Sequence, residues 1–150
     1  LGFFSMNIKV ILQLFLTVIF LAIAFTAIYT LVAMSSSNKT VTAVICILLT
    51  LLLLFIGMQL NQMLSQPETV LGMTIEDGVQ VTKEFPNPNY LNPEERKIVQ
   101  FAYDFTPGGQ VAQCVSMDAV NLPVLPLYSS MIILFTTGIG LLCFKKKDLK

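Results

Sequence analysis

The side chains that could do chemistry are few, and their places in the chain have structural explanations. Two adjacent carboxylate pairs, Glu76–Asp77 and Glu94–Glu95, come nearest to an acid–base site. Acid–base catalysis needs two carboxyl groups that converge on one pocket with separated pKa values. The first pair falls on a predicted turn. The second falls in the first turn of a predicted helix, where acids favour the positive helix end. Neither pair predicts a catalytic site.

Metal ligands and activated nucleophiles are also scarce in the sequence. The chain has no histidine, and its three cysteines, Cys46, Cys114 and Cys143, are far apart. Histidine is the commonest metal ligand and the usual base that activates a serine or cysteine nucleophile. The formal net charge is zero, which gives no general attraction to nucleic acid. We therefore predict no enzyme activity, no identifiable cofactor, no catalytic or metal-binding residues and no nucleic-acid partner.

Long apolar runs dominate the chain instead. Hydrophobic residues make up 55% of the sequence and charged residues only 12%. An apolar run of about 18 residues or more can cross ~30 Å of hydrocarbon as a helix, because a helix pairs its own backbone groups. We predict an integral, multi-pass, mainly α membrane protein with transmembrane helices near 8–34, 40–64 and 125–144. The first run is longer than the core of a cleaved signal peptide, so we expect it to be retained.

Residues 1–66 are predicted to form a transmembrane helical hairpin. The connection around Ser35–Lys39 is so short that we expect the two helices to be antiparallel neighbours. Small residues spaced four apart allow helices to approach closely in a membrane, although such residues are common there in any case. The predicted packing positions are Ala22, Thr26 and Thr30 in the first helix and Thr136 and Gly140 in the third.

Residues 67–121 form the one sizeable polar segment, which we predict to be a small extramembrane α+β unit. Alternating runs on either side of Glu76–Gly78 predict a β-hairpin. Asn92 followed by Pro93 predicts the start of one short helix, and Thr106–Gly109 predicts its end. The stretch Val111–Val115 is compatible with a third short strand.

So short a segment has little core of its own, and the apolar face of its helix needs a cover. We predict that this cover is another polypeptide, since aromatic side chains dominate the energy of protein interfaces. The predicted interface residues are Phe85, Tyr90, Ile98, Phe101, Tyr103 and Phe105.

Charge predicts the orientation. Residues 122–150 comprise the third helix and a basic tail with Lys145, Lys146 and Lys147, whereas residues 67–121 hold eight acidic and three basic residues, a net charge of −5. Basic residues that flank spans mark the cytoplasmic side. We expect the C-terminus on the cytoplasmic-equivalent side and the acidic segment on the outer side. The three lysines could also contact anionic lipid.

These features favour a non-catalytic accessory or structural subunit of a larger multi-subunit membrane complex. Such a subunit would contribute helix packing and an outer-side docking segment to other membrane-protein subunits. One alternative is a receptor-like or adhesion binding module with an acidic outer segment. A second is a small transporter or channel subunit, in which Gln59, Asn61 and Gln62 line a polar route. The centres of the predicted spans contain no ionisable Asp, Glu, Lys or Arg, which argues against a transport pathway within this chain alone.

Overall fold

Five helices and one two-stranded sheet make up the part of the chain that the structure describes. The computed structural model of the chain describes residues 7–76, 79–117 and 119–148. Three of the described helices are long and apolar enough to cross a membrane, which confirms the predicted mainly α class with three such helices. The elements in chain order are α1 (Ile8–Ser35), α2 (Lys39–Leu64), β1 (Thr69–Glu76), β2 (Val79–Pro86), α3 (Pro93–Phe105), α4 (Pro107–Ser116) and α5 (Leu125–Asp148).

The principal neighbour of α1 is α5, rather than α2. Gly140 of α5 lies beside Leu31 and Met34 of α1, near the C-terminal ends of both helices, so the two helices run parallel. The short turn after Ser35 does make α1 and α2 antiparallel, but these two helices contact each other only sparsely. One link is a 2.6 Å hydrogen bond between the hydroxyls of Tyr29 and Thr50. Because α4 contacts both α1 and α2, it takes the place of direct packing between them.

The predicted β-hairpin is confirmed. Strands β1 and β2 are antiparallel, with Thr69 opposite Pro86 at one end. The predicted turn at Asp77–Gly78 lies outside the described residues. Asn87 fastens the base of the hairpin, since its amide nitrogen donates to the carbonyl of Pro67 at 2.9 Å and its backbone N–H donates to the carbonyl of Glu68 at 2.9 Å. The hairpin is therefore tied to the end of α2 at its base.

The start of α3 is also as predicted. Asn92 caps it, and the Glu95 side chain bonds back to the Asn92 backbone, which completes a capping box. The prediction of a single helix in this segment is wrong, because residues 107–116, including the stretch proposed as a third strand, form α4. Thr106 ends α3 and also caps α4. Pro107 opens α4 at no cost, since the first position of a helix needs no N–H donor.

Candidate functional site

Helix α4 is in backbone contact with α2. A Cβ atom on Gly108 would overlap the carbonyl group of Leu53, and a Cβ on Gly57 would overlap the backbone of Gly108. Leu53 precedes Gln59, the first amide side chain of the predicted second span, by about 9 Å along the helix at 1.5 Å per residue. Helix α4 thus lies against apolar turns of α2.

Polar side chains meet where α3, α4 and α5 converge. Asp104, Gln110, Gln113 and Ser129, which we call the polar junction, are each no more than 3% exposed. The hydroxyl of Ser129 donates to Oε1 of Gln110 at 2.6 Å, and Nε2 of Gln110 donates to the backbone carbonyl of Asp104 at 3.0 Å. One buried amide therefore links all three helices.

Two further side-chain hydrogen bonds, made by Gln113 and Tyr103, connect the polar junction to α2. Nε2 of Gln113 donates to the backbone carbonyl of Tyr103 at 3.3 Å, whereas Oε1 of Gln113 is buried without a partner among the described residues. The Tyr103 hydroxyl donates to Oδ1 of Asn61 at 3.1 Å. From the sequence alone, Asn61 could line a polar route in a transporter; in the structure its side chain accepts a hydrogen bond from Tyr103 of α3.

Asp104 is the buried carboxylate of the polar junction. Gln100 Nε2 donates to its Oδ1 at 2.7 Å, and Asn121 Nδ2 donates to its Oδ2 at 2.7 Å. Both donors are neutral amides, whereas buried carboxylates are normally paired with a positive charge. In the sequence Asp104 counted only as one of the outer-segment acids. Its burial depends on Asn121, which is distant in sequence, so no local signal could have revealed it.

A cleft of about 480 Å³ opens beside Asp104, between α3 and the start of α5. Tyr128 of α5 forms part of one wall, and its ring meets the ring of Phe101 edge-on at 5.8 Å between centroids. Arg96 lies at the other end, where its guanidinium donates to the carbonyl of Leu64 and stands 5.7 Å from the centroid of the Tyr90 ring. The residues that line this α3–α5 cleft are Pro93, Arg96, Lys97, Gln100, Phe101, Asp104, Asn121 and Tyr128.

The predicted interface residues on α3 differ in accessibility. Tyr103 is only 5% exposed and packs inside the chain, so it does not offer a docking surface. Ile98 and Phe101 are 68% and 55% exposed. Phe105 stacks on Phe101 and meets Tyr128 edge-on, so α5 already supplies part of the cover that the sequence assigned to a partner.

The other two predicted interface residues lie outside the helices. Phe85 is exposed on the hairpin, where its ring covers Gly72, so that a Cβ on Gly72 would lie 2.7 Å from Phe85 Cδ2. Tyr90 is exposed in the loop before α3 and holds its ring near the guanidinium of Arg96. The structure does not bring the six predicted residues into one continuous patch.

Four of the five predicted helix-packing positions face an open groove. Thr26, Thr30, Thr136 and Gly140 all line one cavity of about 260 Å³ between α1 and α5, whereas Ala22 does not line it. The hydroxyls of Thr26 and Thr30 donate to the carbonyls four residues earlier in α1, so neither bonds across to α5. The buried residues of α1 are Thr17, Leu21 and Ala24.

An exposed apolar face on the hairpin was missed in the sequence. Leu71, Met73 and Ile75 alternate along β1, so they share one side of the sheet. We call these three residues the hairpin face, and their exposures are 74%, 80% and 71%. The hairpin packs on no other described element to any appreciable extent. The alternation indicated a strand, but nothing in it indicated that the apolar side would lack a cover.

The remaining candidate groups show little chemistry. Cys114 is half-buried, and this burial raises the pKa of its thiol, which lowers the thiolate fraction at neutral pH. Within residues 7–76, 79–117 and 119–148, no three His, Cys, Asp or Glu side chains are grouped to hold a metal ion. Lys145 is exposed at the end of α5, and the side chains of Lys146 and Lys147 lie outside the described set.

Comparison with family models, curated proteins and solved structures finds no match for this chain.

Proposed function

We propose that this chain is a non-catalytic accessory subunit of a larger multi-subunit membrane complex, and that its hairpin face docks onto another chain of that complex. The observation behind this proposal is the exposure of Leu71, Met73 and Ile75 on a hairpin that stands apart from the helices. A lone two-stranded hairpin is marginally stable in water, so it gains from a surface that covers its apolar side. Exposed apolar patches of this kind mark interaction sites.

The partner surface is protein with a basic rim, rather than lipid. Glu84 lies directly opposite Leu71, and direct cross-strand partners share one face of a sheet. Inserting this face into hydrocarbon would bury a carboxylate at a cost of several kcal/mol. The acidic segment, with its net charge of −5, is also repelled by anionic lipid headgroups. A basic residue of a partner protein would instead pair with Glu84.

The long helices offer a second surface for contact with other subunits, in addition to the hairpin face. In the most apolar window of α2, only 6% of residues are buried within the chain. More than half of the residues in 41–58 are exposed, which leaves surface for lipid or for helices of other subunits beside the contact with α4. The orientation we propose has the hairpin and the α3–α5 cleft on the outer side and the lysine-rich tail on the cytoplasmic-equivalent side, following the clustered lysines.

The test replaces the hairpin face and measures assembly. We expect the triple variant Leu71→Thr, Met73→Thr and Ile75→Thr to stay in the membrane but to lose its partner chains on purification in mild detergent. Threonine keeps the strand propensity of these positions while removing much of the apolar surface. Mass spectrometry of the co-purified chains, at measured stoichiometry, gives the readout.

A matched control lies on the opposite side of the same hairpin. The double variant Val70→Thr and Val81→Thr makes similar changes on the face that carries Phe85, and it should keep wild-type stoichiometry. Replacing Phe101 and Phe105 would be a poorer test, because both rings also contact Tyr128 within the chain. Migration of the wild-type chain as a lone small protein, or full retention of partners by the triple variant, would refute the proposal.

A further inference from the structure

We propose that the α3–α5 cleft is a binding site for a zwitterionic headgroup that joins an ammonium group to a phosphate, as in the neutral phospholipids. This inference goes beyond the accessory role and does not depend on it, since the hairpin face contributes no residue to the cleft. It rests on three groups of the cleft: a buried carboxylate, two aromatic walls and two cationic residues.

The carboxylate is the site for the ammonium group. Asp104 is 3% exposed and lines the cleft, and its oxygens accept one neutral amide each. A carboxylate has about four acceptor positions, so capacity remains for further donors. Neutral donors leave the negative charge of the group uncompensated, whereas a bound ammonium would supply both a positive charge and donors.

The aromatic walls suit the same group. Phe101 and Tyr128 both line the cleft and pack edge-to-face, with an interplanar angle of 90°. A cation near the face of an aromatic ring is attracted by the ring quadrupole. The cleft thus offers an ammonium group a carboxylate together with aromatic surface.

The phosphate falls at the opposite end of the cleft. Arg96 and Lys97 lie there, about two turns of α3 before Asp104, on the side of the helix that lines the cleft. The Arg96 guanidinium is already held by the carbonyl of Leu64 and by the ring of Tyr90. Lys97 is exposed and its long side chain can reach toward a ligand. Lys97 begins about 10 Å from Asp104 along α3, which is longer than the headgroup itself, so its flexible side chain must reach toward a phosphate whose ammonium is held at Asp104.

The surroundings favour a lipid as the source of this headgroup. Tyr128 lies in the first turn of α5, and tyrosine is the residue that commonly marks the membrane–water interface. One and two turns further along the same side of α5, Met131 and Phe135 are 44% and 63% exposed. Acyl chains attached to a headgroup in the cleft can run along this apolar strip.

The experiment measures headgroup binding to the purified full chain in mild detergent. Native mass spectrometry would compare retention of phosphatidylethanolamine with that of phosphatidylglycerol, which has the phosphate but lacks the ammonium. We expect the wild-type chain to retain the zwitterionic lipid at least about tenfold more tightly, the scale of one charge-assisted hydrogen bond. Soluble phosphorylethanolamine is the third ligand: binding as tight as that of the lipid identifies a soluble zwitterion, and binding of the lipid alone identifies a membrane ligand.

Three variants separate the poles of the site. Asp104→Asn removes the charge and should lower retention of phosphatidylethanolamine about tenfold while leaving phosphatidylglycerol unchanged. Lys97→Gln changes an exposed side chain that folding does not need, and it should weaken both lipids. Lys9→Gln removes an equivalent exposed charge away from the cleft and should weaken neither. Equal retention of the two lipids by the wild-type chain, an unchanged lipid preference in the Asp104 variant, or wild-type retention of both lipids by the Lys97 variant would overturn the proposal.

Discussion

The contact of α4 with α2 and the contact of α5 with α1 show two different ways of packing helices. Gly57 and Gly108 bring the backbones of α2 and α4 together directly, with no room for a Cβ on either residue. Gly140 of α5 instead meets side-chain atoms of α1, and a Cβ there would lie 3.4 Å from the Met34 sulfur, an ordinary contact distance. The contact of α4 with α2 is short and leaves no space for an added side chain. The contact of α5 with α1 is longer, involves side chains that can move, and has an open groove along it.

The most severe test of this contrast is Gly108→Ala. The new Cβ would overlap the Leu53 carbonyl, and a backbone group cannot move aside as a flexible side chain can. Overpacking of this kind costs about 3 kcal/mol at the upper end of its usual range. We expect a large drop in the free energy of unfolding, measured by chemical denaturation in detergent. Wild-type stability of this variant would contradict direct backbone contact between α2 and α4.

Gln110→Met tests the link between the two contacts. Gln110 joins α4 to Ser129 of α5 and to the backbone of Asp104 at the end of α3. Methionine has a similar shape but leaves the Asp104 carbonyl without this partner, at about 1–3 kcal/mol for a group left unpaired, whereas the Ser129 hydroxyl can turn to a carbonyl of its own helix. We expect a loss of stability below that of Gly108→Ala, measured in the same denaturation series. Ser129→Ala removes only one end of the link and should cost less.

Tyr103→Phe removes a single hydrogen bond between α3 and α2, and we expect a smaller loss of stability. The hydroxyl of Tyr103 donates to Asn61, which is itself exposed and can bond to water when the hydroxyl is removed. The net value of such a hydrogen bond is about 0.5–1.5 kcal/mol. We expect a decrease in unfolding free energy within that range. A larger loss would show that the hydroxyl does more than join α3 to the end of α2.

The smallest effects are expected in α5. Gly140→Ala meets only Met34 and Leu31 side chains at ordinary distances, and Gly138→Ala meets no atom within 4 Å. Alanine is favoured over glycine within a helix by up to about 1 kcal/mol. Both variants should therefore have stability equal to or slightly above wild type by the same denaturation measurement. Strong destabilisation by Gly140→Ala alone would remove the contrast between the two contacts.

Local signals predicted much of the fold. The apolar runs predicted the three long helices, and Asn92 with Pro93 predicted the start of α3. The same local signals failed at Thr106–Gly109, because proline and two glycines are typical of a helix end. Here Pro107 begins a helix, and Gly108 is required by a contact with Leu53 that is distant in sequence.

The candidate sites were less predictable than the helices. The aromatic residues of α3 were identified from helical spacing, but the burial of Tyr103 depends on α2 and α4, which local periodicity does not reveal. Asp104 became a site only when Gln100 and Asn121 converged on it. Exposure of the hairpin face likewise depends on which elements fail to pack against it.

The pairing of α1 with α5 has a consequence for biosynthesis. A chain is made from its N-terminus, so α1 and α2 enter the membrane well before α5 is complete. During that interval α1 lacks its principal neighbour, and α2 offers it few contacts. We expect a chain that stops before Leu125 to leave α1 without this neighbour, and therefore to be less stable than the full chain.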